Sequence, residues 1–314
     1  MINVLISRPF FSERTLRLLE WHAPVTPIRL LIDCGAYTDY MTGKPAIPIA
    51  QYNQWVSQIA ARLKGTAVEL FGYMALDVIG DADATMVNYE TMLDAGLHPI
   101  PILTRGIDPK DVERMIETSP LVAIGGIFGT SENEKSALRW MIDQLPPGYP
   151  AHWLGFTSAP FLRYYRPTSF DSSNWLRAAK WGILQPNIDN SGGGVQYGEE
   201  IDPKARALFR SLGFDPGLLK LKESWGYKPG YNFIQCLQTA ISLHCMRYWE
   251  SLSVKMFLAW SSNSAYGLNA LNQYLHGDQN CLGFPPMAIV DSLIQQGSPL
   301  EVDYDAIGIK CRHR

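Results

Sequence analysis

Three aspartates close apolar, β-type runs in this chain. Asp33 ends "RLLID" (29–33), Asp77 ends "ELFGYMALD" (69–77) and Asp171 ends "TSFD" (168–171). An unpaired charge buried among apolar groups is costly, so such acids must be solvated or employed. Taken singly, each reads more readily as a helix N-cap or a loop carboxylate. Three on one predicted rim shift the balance toward chemistry. Two carboxylates can divide nucleophile and acid/base roles, as retaining glycosyl transfer requires. A third can accept hydrogen bonds from the N–H edge of a purine. Gly125 and Gly126 would let a flat base approach backbone amides, and Tyr37 could stack on its ring. The set points to N-glycosidic chemistry on a nucleoside.

That rim exists only if the elements between the acids alternate in the right way. Eight strand candidates can be read: "NVLI" (3–6), "RLLID", "ELFGYMALD", "HPIPIL" (98–103), "PLVAIGGI" (120–127), "AHWLGF" (151–156), "TSFD" and "WGIL" (181–184). Helical stretches separate most of them. Asp108 and Pro109 mark one helix start, and Ser131 with Glu134 forms a capping-box pattern at another. Alternation of this kind argues for parallel βαβ units. Eight units predict a TIM-like (β/α)8 barrel, an α/β fold whose functional groups sit at the C-terminal strand ends. A doubly wound open sheet is the alternative, but the GxGxxG spacing of a dinucleotide site is missing. The expected division is a catalytic barrel over 1–200 and a mainly helical part over 201–314 that packs on it and contributes nucleic-acid contacts.

The chain has 314 residues, 46% hydrophobic and 18% charged, with a net charge of −3. These are values of a globular protein able to bury a large core, and no global field attracts nucleic acid. Locally, residues 160–230 hold 10 Lys+Arg against 7 Asp+Glu, while residues 1–159 hold 12 against 17. The five cysteines (34, 236, 245, 281 and 311) include no CxxC pair, so neither a disulfide framework nor a zinc ribbon is expected. With no signal-peptide pattern at the N-terminus and no apolar run of about 18 residues, the expectation is a cytoplasmic protein without a membrane partner.

At the strand ends the sequence resembles the tRNA-guanine transglycosylase superfamily, above all its DNA-directed branch, the 7-deazaguanine DNA transglycosylases of bacteria and phages. The resemblance is carried, in order, by "IDCGAYT" (32–38), "MALD" (74–77), "AIGGI" (123–127), "HWLGFTSAP" (152–160) and "SFDSSNW" (169–175). It spans residues 29–182, somewhat over half the chain. The resemblance implies a pentosyltransferase with Asp171 as nucleophile and Asp33 as general acid/base. Asp77 would bind the N1/N2 edge of the purine, Gly125 and Gly126 would offer backbone groups, and Tyr37 and Leu154 would cover the two ring faces. It further implies replacement of guanine by a 7-deazaguanine such as preQ0, with the host cytoplasm as location if the chain is phage-encoded. No cofactor is implied.

The chain also departs from the family. "LTRG" (103–106) replaces a Gln-Gly segment, so Arg105 or Thr104 changes one base contact. The zinc-binding Cys-x-Cys-x-x-Cys of the tRNA enzymes is missing, so no metal is expected and DNA is preferred over tRNA. Cys236, His244 and Cys245 read as core positions of one apolar helix, because their spacing forms no compact tetrahedral set. Expected backbone contacts come from Arg163, Arg166, Arg177 and Lys180, and from Lys220, Lys222 and Lys228, which are interleaved with aromatic residues. Basic and aromatic groups together suit an unstacked strand, although ordinary snorkelling surface helices look the same. A tRNA-guanine transglycosylase, a two-carboxylate N-glycoside hydrolase and a non-catalytic nucleic-acid-binding barrel remain as alternatives.

Overall fold

The computed structural model describes residues 1–24, 27–127, 131–173, 183–184, 195–196, 242, 245–246 and 249–260. Short apolar runs form parallel strands, and amphipathic stretches between them form helices. The order is β1 (Ile2–Ser7), α1 (Glu13–His22), β2 (Ile28–Asp33), α2 (Ala36–Met41), α3 (Ile49–Leu63), β3 (Val68–Tyr73), α4 (Ala82–Asp94) and β4 (Ile102–Leu103). It continues through α5 (Pro109–Thr118), β5 (Val122–Ile124), α6 (Glu132–Asp143), β6 (Ala151–Trp153), α7 (Ala159–Tyr165), β7 (Ser169–Ser172), β8 (Ile183–Leu184), β9 (Val195–Gln196) and β10 (Lys255–Ala259).

Eight of these strands make one sheet in the order β3-β2-β1-β10-β7-β6-β5-β4. Its two ends meet at a parallel bridge between Met74 and Ile100. There the Ile100 N–H donates to the Tyr73 carbonyl at 2.8 Å and the Ala75 N–H to the Ile100 carbonyl at 2.8 Å. The sheet thus curls onto itself as a TIM-like (β/α)8 barrel, which leaves no open edge. Ring contacts cross the interior. Phe71 of β3 lies 5.3 Å from Phe257 of β10, although two strands separate them along the sheet, and Phe257 meets His152 of β6 at 5.9 Å.

The chain divides into two compact units. The first comprises Met1–Phe156, Pro167–Asp171 and Met256–Trp260 and carries the barrel strands. The second comprises Thr157–Arg166, Ser172–Lys255 and Ser261–Arg314; its described parts include α7 and the β8–β9 hairpin.

One expected strand is corrected. Residues 181–184 do not supply the eighth barrel strand, because Ile183 and Leu184 pair antiparallel with β9. The place between β1 and β7 is taken by β10, within a stretch expected to be helical. Met256, Phe257 and Leu258 are fully buried there, and burying side chains of this size is worth roughly 1.5–3 kcal/mol each. The expected boundary at residue 200 and most of the expected helical region over 201–314 lie outside the described residues.

Local signals fix the helix starts. Ser12, Asp81, Asp108 and Ser131 each accept a backbone N–H of the first turn of α1, α4, α5 and α6, satisfying donors that no helical carbonyl can reach. Among the described residues, no helix is long and apolar enough to cross a membrane.

Candidate active site

Because all eight strands are parallel, their C-terminal ends share one rim. Asp33 ends β2, Asp77 lies four residues past the end of β3, and Asp171 is the third residue of β7. All three belong to the first unit.

Asp33 is half-buried and adjoins Ser7 in the β1–β2 register. Burial is the main force pushing its carboxyl above the usual aspartate range, and the charges of Asp171 and Asp77 push the same way. The Ser7 hydroxyl and the Gly35 N–H, which donates to Oδ2 at 3.1 Å, oppose the rise without cancelling it. Asp33 therefore feels both other acids of the rim, and its proton is held more tightly than in water. Asp77 is also raised, chiefly by burial, although Thr85 Oγ1 donates to it at 2.9 Å. Asp77 borders a pocket of ≈ 370 Å³ lined by Cys34, Tyr40, Ile47, Leu76 and Asn88 among others, a size usual for small-molecule sites. Burial and the neighbouring acids push the Cys34 thiol well up, so it remains a protonated wall group.

Asp171 is only 7% exposed. Its Oδ1 accepts the Gly155 N–H at 2.8 Å, and His152 Nε2 lies 3.5 Å from the same oxygen. His152 is completely buried on β6, in register with Ser169 of β7, and its Nδ1 is 2.8 Å from Ser169 Oγ. Neither His152 nor Ser169 stands out in the sequence as a site residue. One signal was available: strand side chains alternate, so Ser169 and Asp171 must share a face.

The other expected base contacts also belong to the first unit. Gly126 adopts a φ of +68°, and a Cβ added at Gly125 would come within 2.9 Å of Ile102 and 3.5 Å of Leu154 Cδ1. Gly125 is buried against those side chains, whereas Gly126 is exposed. Tyr37 is 45% exposed on α2. Arg105 pairs with Glu134 at 2.6 Å.

Of the expected backbone contacts, Arg163 sits within α7, and Arg166 caps that helix with a left-handed φ of 46°. Both fall in the second unit. Arg177, Lys180, Lys220, Lys222 and Lys228 lie outside the described residues, as do Cys236 and His244, whereas Cys245 is buried.

Gly35 ties the Asp33 loop to the rest of the rim. Its φ is +79°, and a Cβ there would stand 2.2 Å from Pro9 Cδ. Gly35→Ala is expected to destabilise the fold by roughly 2–4 kcal/mol, through left-handed strain and overpacking together. Urea unfolding measures the loss.

No family model matches the chain, and no curated protein matches it.

Proposed function

We propose that this chain exchanges guanine in DNA for a 7-deazaguanine of the preQ0 kind, through a covalent Asp171–deoxyribose intermediate. The observation that carries the reading is the meeting of Asp33, Asp77 and Asp171 at one barrel rim, with Asp33 raised by burial and by both other acids. The ordered likeness of residues 29–182 to the transglycosylase superfamily supports it further.

In the first step a carboxylate oxygen of Asp171 attacks C1′. The bond from C1′ to N9 breaks, and guanine leaves with the bonding pair and takes a proton from Asp33. A group whose proton is held above the ordinary aspartate range suits that task. In the second step the incoming base loses its N9 proton to Asp33 and attacks C1′. The ester bond breaks and the Asp171 carboxylate is restored. Two displacements retain the anomeric configuration. Asp77 would accept the N1–H and N2–H of both bases, Gly125 and Gly126 would offer backbone groups, and Tyr37 and Leu154 would enclose the ring. The target nucleotide must leave its stack to arrive.

The test is mass spectrometry of nucleosides from DNA incubated with the protein and preQ0, with tRNA as a parallel substrate. The expected result is a preQ0 deoxynucleoside in DNA and nothing new in tRNA. Free guanine without incorporation of preQ0 would instead establish a hydrolase, and modification of tRNA alone would move the activity to the other branch of the superfamily.

A further inference from the structure

His152 raises a separate question. Its imidazole is wholly buried, and Nε2 has no hydrogen-bond partner although it lies 3.5 Å from Asp171 Oδ1. A buried polar atom without a partner is uncommon and calls for a reason. Its other nitrogen is held at 2.8 Å by Ser169 Oγ, and the Phe257 ring packs against the imidazole at a near-perpendicular 82°. The ring is thus fixed with one edge toward Ser169 and the other toward the acid.

Two neutral tautomers are possible, and electrostatics separates them. If Nδ1 carried the hydrogen and donated to Ser169, the Nε2 lone pair would face an acidic oxygen. If the Ser169 hydroxyl donates to Nδ1, the hydrogen sits on Nε2 and points at Asp171. Only the second arrangement is attractive. With the Gly155 N–H already on Oδ1 at 2.8 Å, both donors would then converge on the same oxygen.

We infer that His152 is a positioning residue for Asp171: Ser169 sets its tautomer, its Nε2–H steadies Oδ1, and Oδ2 is thereby aimed outward for the attack on C1′. This rests on the base-exchange reading, in which Asp171 is the nucleophile. His152 does not touch the sugar. It limits rotation of the carboxyl group, and misplacing a reacting atom by about 1 Å can cost roughly 100-fold in rate.

Two measurements test it. The first needs no substrate: 15N NMR of the wild-type protein reads which His152 nitrogen carries hydrogen. A hydrogen on Nε2 is expected, with Ser169→Ala weakening that preference. A bare Nε2 facing Asp171 would overturn the inference outright. The second compares His152→Gln with His152→Asn in base exchange. The glutamine amide can place a donor near the position of Nε2, whereas the shorter asparagine amide cannot. His152→Gln should keep kcat within about 10-fold of wild type, and His152→Asn should lose roughly 100-fold. KM for DNA should move less than about twofold in either, since the residue acts on positioning and not on binding. Equal losses in the two variants, or no loss in either, would assign His152 to packing alone. If the wild-type protein exchanges no base, the base-exchange reading fails while the tautomer measurement still decides whether His152 serves Asp171.

Discussion

Asp171→Asn is expected to abolish base exchange, with incorporation of labelled guanine into DNA falling by about 10^4-fold or more. Losses of that order follow when a covalent nucleophile is removed and only binding and electrostatics remain. The substitution is informative because it is nearly isosteric. The amide oxygen of Asn can still accept the Gly155 N–H that Oδ1 now accepts at 2.8 Å, so the C-terminal ends of β6 and β7 should stay joined. The melting temperature should therefore move by no more than about 3 °C, while turnover is lost. A second readout isolates the step. Wild-type protein mixed with DNA and no incoming base should accumulate a protein–DNA adduct that survives denaturation, and Asp171→Asn should yield none. Normal incorporation by Asp171→Asn would show that another group attacks the sugar, and a binding module would be indifferent to the change.

The path from sequence to this site ran through alternation. Apolar runs of four to nine residues, separated by helical patterns, place Asp33 at the end of β2, Asp77 after β3 and Asp171 within β7, and the barrel brings those points to one rim. Alternation fails where the chain stops alternating. More than 80 residues separate β7 from β10, so the run "KMFLA" carries no neighbouring βα unit to flag it. Apolar from Met256 onward, it is indistinguishable by periodicity from a piece of buried helix. The run at 183–184 was equally apolar and closer at hand, yet it pairs with β9. His152 was hidden for a related reason. A histidine in a three-residue buried strand is unremarkable until the register sets it beside Ser169, and register is a property of two strands that neither one encodes alone. Arg105 follows β4, and its ion-pair partner Glu134 stands 29 residues on, in α6, a pairing that spacing alone does not reveal.

Asp33→Asn should separate activity from stability. Under the proposed exchange, Asp33 gives a proton to the departing guanine and takes one from the incoming base. Its loss should lower kcat by roughly 10^2- to 10^4-fold, the usual range for general acid–base groups. Stability should move the other way. The folded-state pKa of Asp33 lies above the ordinary value of 3.8, driven first by burial and then by Asp171 and Asp77. The folded protein therefore binds this proton more tightly than the unfolded chain does, and its ionisation costs folding free energy. Below 3.8 Asp33 is protonated in both states and that cost vanishes. As pH rises from 3.8 through the raised value, the unfolded chain ionises first and wild-type stability falls relative to Asp33→Asn. Above the raised value the difference is constant. The variant should accordingly melt higher than wild type at neutral pH, with the gap closing as the solution is acidified toward 3.8. Parallel melting curves across that window check the sign, and exchange rates on the same samples check the cost in function. A variant less stable than wild type at neutral pH would mean that the Ser7 and Gly35 contacts to Asp33 outweigh its burial. The acid would then be an anchor of the β2 loop, and the proton traffic of the exchange would have to pass through a different group.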